Sequence, residues 1–452
     1  MKAERIFGTD GIRGRAGDGW LSVPAVTALG CALGEVLVPH GERRKKHRVL
    51  LGHDGRRSGP ELESALARGL STHGFQVTSC GLITTPGLAL LTKLERFQIG
   101  AMISASHNPA EDNGIKVFSG EGDKLSDEVE LAIEDKLRAT PAVNQPGEAP
   151  PADLDLEHRY LTYLVEKAGH KLKLDGMRIV LDCANGGGSR IGPRVFGRLG
   201  AQVVSICAEP DGENINRECG ATKPARLQQE MRSQGAQLGI ALDGDGDRCM
   251  LVDEKGELVN GDGILTVCAR HMTQKGELPD PRIVATVMSN KGLFRALREV
   301  GVGIVTTDVG DRRVVEALKR EQLKLGGEQS GHIVFGADHH WIGDGLYTAL
   351  RVLRVLKETK KPLSELAGAF RAFPQVLLNV KVARQPSLAS LPSLVAARTR
   401  FEEELGEDGR VLLRYSGTEP LARVMVEGPD LDRIKKQAQE LASLIQAEIG
   451  AA

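Results

Sequence analysis

Three carboxylates within six residues form the segment of this chain best suited to chemistry. Asp243, Asp245 and Asp247 are separated by single glycines, and Arg248 follows at once. Side chains two residues apart on an extended backbone point the same way, and the glycines let the chain coil tightly around a bound group. Three anions this close repel one another unless a cation lies among them. The spacing therefore predicts a site for a hard divalent metal ion, Mg²⁺ or Ca²⁺.

A calcium-binding EF-hand is one alternative, because Glu254 stands at loop position twelve when Asp243 is position one. Position six of that loop needs glycine, and here it is Arg248. Residues 237–242 and 249–253 are typical of buried strands, whereas an EF-hand needs flanking helices. The pattern favours a metal-binding loop between two strands. A solvated acidic turn in a hairpin is the other alternative.

Ser106 lies in the segment Ser-Ala-Ser-His-Asn-Pro, residues 104–109, directly after the apolar run 99–103. The Asn-Pro pair favours a tight turn, which places the hydroxyl at the end of a strand. A serine hydrolase would need a base aligned with that hydroxyl, and the neighbouring His107 is too close in sequence for the usual geometry. Taken alone, the segment is also compatible with an ordinary turn serine.

Two cations lie in glycine-rich loops: Arg13 within residues 8–14, and Lys116 within Asn-Gly-Ile-Lys. We interpret both as candidate partners for an anion. Further along, one short loop carries Glu328, Ser330 and His332, whose side chains together can bind the hydroxyls of a sugar. The alternative is that Glu328 and His332 form an internal pair in a buried turn.

A fifth segment, Arg-Tyr-Ser-Gly-Thr-Glu-Pro, lies near the C-terminus. It joins a guanidinium to two hydroxyls around a glycine, which are the groups that a phosphate-binding turn requires. A polar hairpin turn is the alternative. The candidate phosphate ligands are Arg414, Ser416, Gly417, Thr418 and Arg423.

The composition is that of a globular protein without a charged partner surface. Of the 452 residues, 41% are hydrophobic, and 59 Lys plus Arg balance 60 Asp plus Glu. This balance gives no reason to expect nucleic acid or an anionic membrane as partner. Seven cysteines form no Cys-x-x-Cys pair, which indicates reduced core residues in a cytoplasmic protein rather than a zinc or disulfide framework. The first residues show no signal peptide, and no span reaches membrane length.

Apolar strands, Gly- or Asp-bearing loops and amphipathic helices alternate along the chain. One unit has a strand at 178–182 and a helix from about 192 to 199, and this alternation predicts α/β layers. The proline-rich stretch 139–151 ends a first domain. Further breaks are expected after 253–256 and near 372–374.

Together the five segments closely resemble those of the α-D-phosphohexomutase superfamily, in the expected order and over the whole chain. Ser-Ala-Ser-His-Asn-Pro is similar to its phosphoserine loop, and Asp-Gly-Asp-Gly-Asp-Arg to its magnesium loop. Gly-Glu-Gln-Ser-Gly-His is similar to its sugar loop, and Arg-Tyr-Ser-Gly-Thr-Glu-Pro to its phosphate loop.

The resemblance implies four domains around a central active-site cleft, at 1–150, 151–254, 255–370 and 371–452. Three would be α/β/α sandwiches with mixed sheets, and the last an α+β domain similar to the TATA-binding-protein fold. Gln329 and the segments 7–14 and 416–420 resemble most the members that act on amino-sugar phosphates. The alternative is a hexose phosphate mutase of the same superfamily.

The resemblance also implies the chemistry. Ser106 would carry the transferable phosphate, and one Mg²⁺ would be held by Ser106, Asp243, Asp245 and Asp247. A sugar 1,6-bisphosphate would be the intermediate and activator. The other catalytic residues would be Lys116, Arg13, Arg248 and His332, with Lys116 and His332 as alternatives for the base.

Glu328 and Ser330 would hold the sugar. The expected partner is a small phosphosugar, with no nucleic acid and no membrane. A homodimer is compatible with the resemblance. The alternative from another functional class is a phosphosugar- and metal-binding module without catalysis.

Overall fold

The computed structural model describes residues 5–37, 47–141, 150–416 and 420–451. Within these ranges the chain forms two compact units. The first contains the chain up to Met288 together with Ile304–Ala367, and the second contains Ser289–Gly303 and the chain from Gly368 onward. Most of the proline-rich stretch, residues 142–149, lies outside the described residues.

The first sheet of the larger unit is mixed. In the described residues its strands have the order β1-β5-β4-β2-β3; β2 is parallel to β3 and β4, and β5 is antiparallel to β1 and β4. Strand β4 is buried along its whole length, as expected of a central strand. The elements of this part are β1 (Ile12–Arg15), α1 (Val23–Leu37), β2 (His47–His53), α2 (Gly59–Ser71), β3 (Phe75–Leu82), α3 (Thr85–Leu94), β4 (Ile99–Ile103), β5 (Asp112–Ser119) and α4 (Asp127–Ala139).

The second sheet confirms that strands flank the three carboxylates. Its described strands have the order β10-β9-β8-β6-β7, with β8 antiparallel to β9 and parallel to β6. The Asp243–Asp247 loop connects β8 to β9, so the flanking helices of an EF-hand are absent from these described residues. The elements are α5 (Leu154–Tyr163), β6 (Arg178–Asp182), α6 (Ile191–Arg198), β7 (Gln202–Ile206), α7 (Ala225–Gln234), β8 (Leu238–Leu242), β9 (Cys249–Val252) and β10 (Leu258–Val259).

The third sheet is short and is also mixed. Its described strands have the order β12-β11-β13-β14, and the tight connection between β13 and β14 is the candidate sugar loop. The elements are α8 (Gly261–Gln274), β11 (Arg282–Thr286), α9 (Lys291–Arg298), which belongs to the smaller unit, β12 (Gly303–Thr307), α10 (Asp311–Glu321), β13 (Gly326–Gly327), β14 (Ile333–Val334), α11 (Gly345–Thr359) and α12 (Leu363–Ala367).

The smaller unit has an antiparallel sheet in the order β15-β17-β16 among its described strands. Buried apolar residues of this sheet pack against those of its helices, including Phe401 and Leu441. No helix in the described ranges is both long and apolar enough to cross a membrane. The elements added here are β15 (Gln375–Lys381), α13 (Pro392–Leu405), β16 (Arg410–Tyr415), β17 (Leu421–Glu427) and α14 (Leu431–Ile449).

Helices α1 and α2 pack backbone to backbone through glycine. A Cβ atom added to Gly69 would collide with the Thr27 carbonyl oxygen and would lie 2.7 Å from the Cys31 amide nitrogen. By contrast, a Cβ atom on Gly197 in α6 would meet nothing within 4 Å.

These two glycines give a matched test of packing against helix propensity. Gly69→Ala should lower the thermal unfolding midpoint, because overpacking costs ~1–3 kcal/mol and outweighs the better propensity of alanine. Gly197→Ala should leave the midpoint unchanged or raise it, since only the propensity gain of up to ~1 kcal/mol applies there. Differential scanning calorimetry measures both; equal midpoints for the two variants would contradict the close packing.

Candidate active site

Ser106 lies just beyond β4 with its backbone in the left-handed region, at φ 53°. Its amide donates to Ser104 Oγ at 2.8 Å, and its carbonyl accepts from Arg56 Nη2 and Asn216 Nδ2, both at 2.9 Å. The left-handed region is uncommon for a residue with a side chain and persists where the surroundings determine it. These three hydrogen bonds hold the turn that presents the Ser106 hydroxyl.

The side chain of Arg56 also holds the Ser106 loop in place through hydrogen bonds. Its side chain has no exposed surface and pairs at 2.9 Å with the equally buried Asp54. The guanidinium also donates to the carbonyls of Asn108 at 2.9 Å and Asp112 at 3.0 Å. Sequence reasoning missed Arg56 and Asn216, although a charged Asp-Gly-Arg sequence directly after a buried strand was a usable signal for Arg56.

The three carboxylates converge as the spacing predicted. One oxygen from each of Asp243, Asp245 and Asp247 lies within 4.8 Å of the others, and all three residues are buried. Ser106 Oγ donates to Asp243 Oδ2 at 2.7 Å. Burial, followed by the like charges of Asp247 and Asp245, raises the pKa of Asp243 well above its usual range.

This oxygen cluster fits a hard divalent metal ion. Asp245 Oδ1 and Asp247 Oδ1 are buried and have no hydrogen-bond partner among the described residues. Carboxylates plus a serine-borne oxygen form the donor set that Mg²⁺ prefers. Glu254 does not join the cluster, because its carboxylate accepts hydrogen bonds from Ser364.

Two neighbouring cationic side chains, Lys116 and Arg13, form ion pairs with carboxylates of this site. Lys116 Nζ, on β5, lies 2.8 Å from Asp245, 3.2 Å from Asp247 and 2.9 Å from Asp10. Burial acts to lower the pKa of Lys116, but these three carboxylates raise it well above its usual range. Arg13 pairs with Asp10. Asp10 is thus a further member of the site that sequence reasoning did not identify.

A hydrogen bond from its backbone amide keeps Arg248 beside the carboxylate of Asp243. Its amide donates to Asp243 Oδ1 at 3.2 Å, and its guanidinium Nε lies 4.0 Å from Asp243 Oδ2.

Ser106 Oγ and His107 Nδ1 are 3.4 Å apart. Burial, followed by the positive charges of Arg248 and Arg13, lowers the pKa of His107 to about 4, so this imidazole is neutral near pH 7.

The candidate sugar loop lies beside the metal loop, because Arg248 and His332 form a β-bridge. Glu328 Oε1 accepts from the Gly310 amide at 3.0 Å, and His332 Nε2 lies 3.7 Å from Asp311 Oδ2. The side chains of Glu328 and His332 thus contact other groups rather than each other.

Several of these groups line one cleft of about 910 Å³ within the larger unit, among them Asp10, His107 and Asp247. That volume suits a small polar ligand. The predicted site residues that line it are Arg13, Asp247, Arg248, Glu328, Ser330 and His332.

The candidate phosphate turn lies in the smaller unit. Arg414 on β16 stands directly opposite Arg423 on β17. Arg423 Nη2 donates to Ser416 Oγ at 3.3 Å. Arg414 and Arg423 therefore lie on the same face of this hairpin, and the Arg423 guanidinium group contacts a hydroxyl, a combination that suits an anion site. Gly417 and Thr418 lie outside the described residues.

Comparisons with known proteins identify the family. Models of the phosphoglucomutase/phosphomannomutase family match α/β/α domain I at residues 4–143, domain II at 158–256, domain III at 260–373 and the C-terminal domain at 377–444. The protein belongs to this family, which confirms the resemblance inferred from the five segments and the four-domain α/β fold class.

Curated relatives and solved structures are similar to this chain over its full length. Phosphoglucosamine mutases from Syntrophus aciditrophicus and Nitratidesulfovibrio vulgaris are 43% and 45% identical, with at least 99% of each chain covered. A putative phosphomannomutase structure from Thermus thermophilus has a TM-score of 0.78 at 25% identity, over 99% of this chain and 100% of that one. A family structure from Burkholderia thailandensis has a TM-score of 0.81 at 24% identity, over 99% of both chains.

Metal affinity should depend on the Asp243–Asp247 loop and not on Glu254. Asp245→Asn should weaken binding of Mn²⁺, used as a spectroscopic substitute for Mg²⁺, by about tenfold or more. Glu254→Gln should not change it, because Glu254 lies outside the cluster. Affinity should also rise with pH, since the raised pKa of Asp243 means that a proton competes with the metal at low pH. Electron paramagnetic resonance titration measures these affinities; equal losses in the two variants would restore the EF-hand interpretation.

The role of Asn216 in fixing the loop that carries Ser106 can be tested without an activity assay. Asn216→Ala removes hydrogen bonds to the carbonyls of Ser106 and Asn108, so amide hydrogen exchange in residues 104–109 should become faster. The matched control is Asn214→Ala, which removes a side-chain hydrogen bond to the Glu209 carbonyl in an exposed turn. Mass-spectrometric exchange that is unchanged in Asn216→Ala would refute this role.

Proposed function

We propose that the protein is a phosphoglucosamine mutase, an isomerase that interconverts glucosamine 6-phosphate and glucosamine 1-phosphate. The observation that carries the proposal is the 2.7 Å contact between Ser106 Oγ and Asp243 within a buried cluster of three carboxylates. Relatives that bear this name and match the whole chain at 43% and 45% identity support the choice of substrate.

In this mechanism the resting enzyme carries a phosphoryl group on Ser106. The 1-hydroxyl of glucosamine 6-phosphate attacks that phosphorus, the bond to Ser106 Oγ breaks, and the 1,6-bisphosphate forms. The bisphosphate then turns around in the cleft. Ser106 Oγ takes back the phosphoryl group from the 6-position, and glucosamine 1-phosphate leaves with the enzyme again phosphorylated.

The residues around Ser106 would supply charge stabilisation, on which phosphoryl transfer chiefly depends. Mg²⁺ held by Asp243, Asp245, Asp247 and an oxygen on Ser106 would act as a Lewis acid that neutralises the phosphoryl oxygens. Arg248 and Arg13 both line the cleft and would neutralise the remaining negative charge.

Two pairs of polar groups would orient the sugar and its proton transfers. Glu328 and Ser330, which line the cleft, would bind sugar hydroxyls in both orientations. Lys116 and His332 are the two candidates for the base that takes the proton of the attacking hydroxyl. His332 also lines the cleft, whereas Lys116 is occupied by three carboxylates in this arrangement.

The phosphate that is not being transferred would bind Arg414, Ser416, Gly417, Thr418 and Arg423. Bidentate guanidinium groups suit a phosphate dianion. The balanced charge of the chain and its seven unpaired cysteines fit a cytoplasmic enzyme whose partner is a small phosphosugar.

The proposal is tested by the ratio of kcat/KM for glucosamine 1-phosphate to that for glucose 1-phosphate, with phosphorylated protein in Mg²⁺. The ratio should exceed about tenfold, because a site that hydrogen-bonds the amino group rejects analogues that lack it. Ser106→Ala should abolish turnover of both sugars and remove the mass of one phosphoryl group from the intact protein.

The other outcomes separate the remaining functions. A ratio near or below one, still abolished by Ser106→Ala, would make the protein a hexose phosphate mutase. Binding of sugar phosphate without turnover, in protein whose Ser106 is phosphorylated, would indicate a binding module without catalysis.

A further inference from the structure

A second cluster of metal-binding side chains lies at the ends of β6 and β7. Asp182 is the last residue of β6, Cys207 follows β7, and Cys219 lies in the loop before α7. One carboxylate oxygen and the two sulfur atoms lie within 4.8 Å of one another. These side chains form a group separate from the Asp243–Asp247 cluster.

The carboxylate of this cluster is held in place by backbone groups. Asp182 Oδ1 accepts from the Ala184 amide at 2.9 Å, and Oδ2 accepts from the Gly220 amide at 2.8 Å. Such outer hydrogen bonds orient the ligands of protein metal sites. Asp182 and Cys219 are fully buried, whereas Cys207 is half-buried. The cluster is therefore closed on one side and accessible on the side of Cys207.

The three groups are electron-rich. Two sulfur atoms and one carboxylate oxygen are the donor atoms that this cluster offers. Sulfur ligands select soft or borderline cations. Zn²⁺ binds at ~2.3 Å from sulfur and ~2.0–2.2 Å from oxygen, and the three donor atoms, all within 4.8 Å of one another, are close enough to converge on one such ion.

We infer that Asp182, Cys207 and Cys219 form a binding site for a soft or borderline divalent cation such as Zn²⁺ or Cd²⁺. Two thiolates and one carboxylate oxygen are the ligands, and the fourth coordination position is open toward solvent beside Cys207. Binding releases the thiol protons to solvent. Binding of the ion at this site does not require the proposed mutase activity.

The bound ion would connect the ends of β6 and β7 to the loop that supports the serine turn. The Asn185 amide donates to the Cys207 carbonyl at 2.6 Å, and the Asn216 amide donates to the Ala184 carbonyl at 2.9 Å. Asn216, which lies between the two cysteines in sequence, holds the Ser106 carbonyl. The ion would therefore brace a segment that contacts the nucleophile.

The test is a Cd²⁺ titration of the full-length protein, followed by the ultraviolet charge-transfer band that only thiolate ligands give. Excess Mg²⁺ fills the all-oxygen site, and a phosphine reductant prevents disulfide formation. One equivalent should generate the band, and Zn²⁺ should displace it. Cys207→Ser should weaken Cd²⁺ binding by about tenfold or more and reduce the band.

Cys31→Ser is the matched control, because Cys31 is also half-buried but contacts the Thr72 hydroxyl rather than a second thiol. Its Cd²⁺ titration should equal that of the unaltered protein. Circular dichroism verifies that both variants are folded. Absence of the band, an unchanged band in Cys207→Ser, or an equal loss in Cys31→Ser would overturn the inference.

Discussion

The structure depends on neutralising three carboxylates that are buried side by side. Isolated carboxylates cannot remain ionised away from water, so positive charge must be brought to them. Lys116 supplies part of it directly, through contacts to Asp245 and Asp247 at 2.8 and 3.2 Å. Lys116 and Arg13 are also tied to one another through Asp10, which pairs with both. A divalent ion bound to the unpartnered carboxylate oxygens would complete the balance.

The same constraint explains how the metal loop is anchored. Three segments donate backbone hydrogen bonds to it: Gly187 to the Gly244 carbonyl at 2.8 Å, Thr85 to the Asp245 carbonyl at 2.8 Å, and Gly345 to the Gly246 carbonyl at 3.0 Å. The segments come from different parts of the larger unit. A loop held on three sides cannot move apart to relieve the repulsion of its side chains, so its geometry favours cation binding over relaxation.

Glycine makes the approach of the two reactive loops possible. A Cβ atom at Gly244 would lie 2.6 Å from the Ser106 carbonyl oxygen and 2.8 Å from Asn216 Nδ2. Only a residue without a side chain allows the serine turn to come this close to the carboxylate loop. The alternation of aspartate and glycine thus serves two purposes, since the aspartates bind the cation and the glycine admits the nucleophile.

Much of the fold and the local arrangement of the carboxylate loop could be predicted from sequence. The strands on both sides of the carboxylate loop, the mixed α/β layers and the family resemblance follow from local patterns and motifs. Other features could not be predicted in this way. Residues 289–303, including α9, belong to the smaller unit although they lie within residues 255–370, the third domain expected from the sequence. The Asp182, Cys207 and Cys219 cluster was missed because its members share no local spacing.

By itself, the sequence determined which chemical groups are available and which of them must act together locally: three carboxylates on alternate residues, a serine at a strand end, and hydroxyls beside arginine. Only the tertiary structure decided their partners. Ser106 meets Asp243 across 137 residues, and Lys116 meets Asp245 across 129. Arg56 reaches the serine turn across 50 residues, and Asn216 across 110. The physical reason is that a local pattern specifies the direction of a side chain along its own element, whereas charge balance and hydrogen-bond satisfaction in a buried site depend on which distant elements pack together.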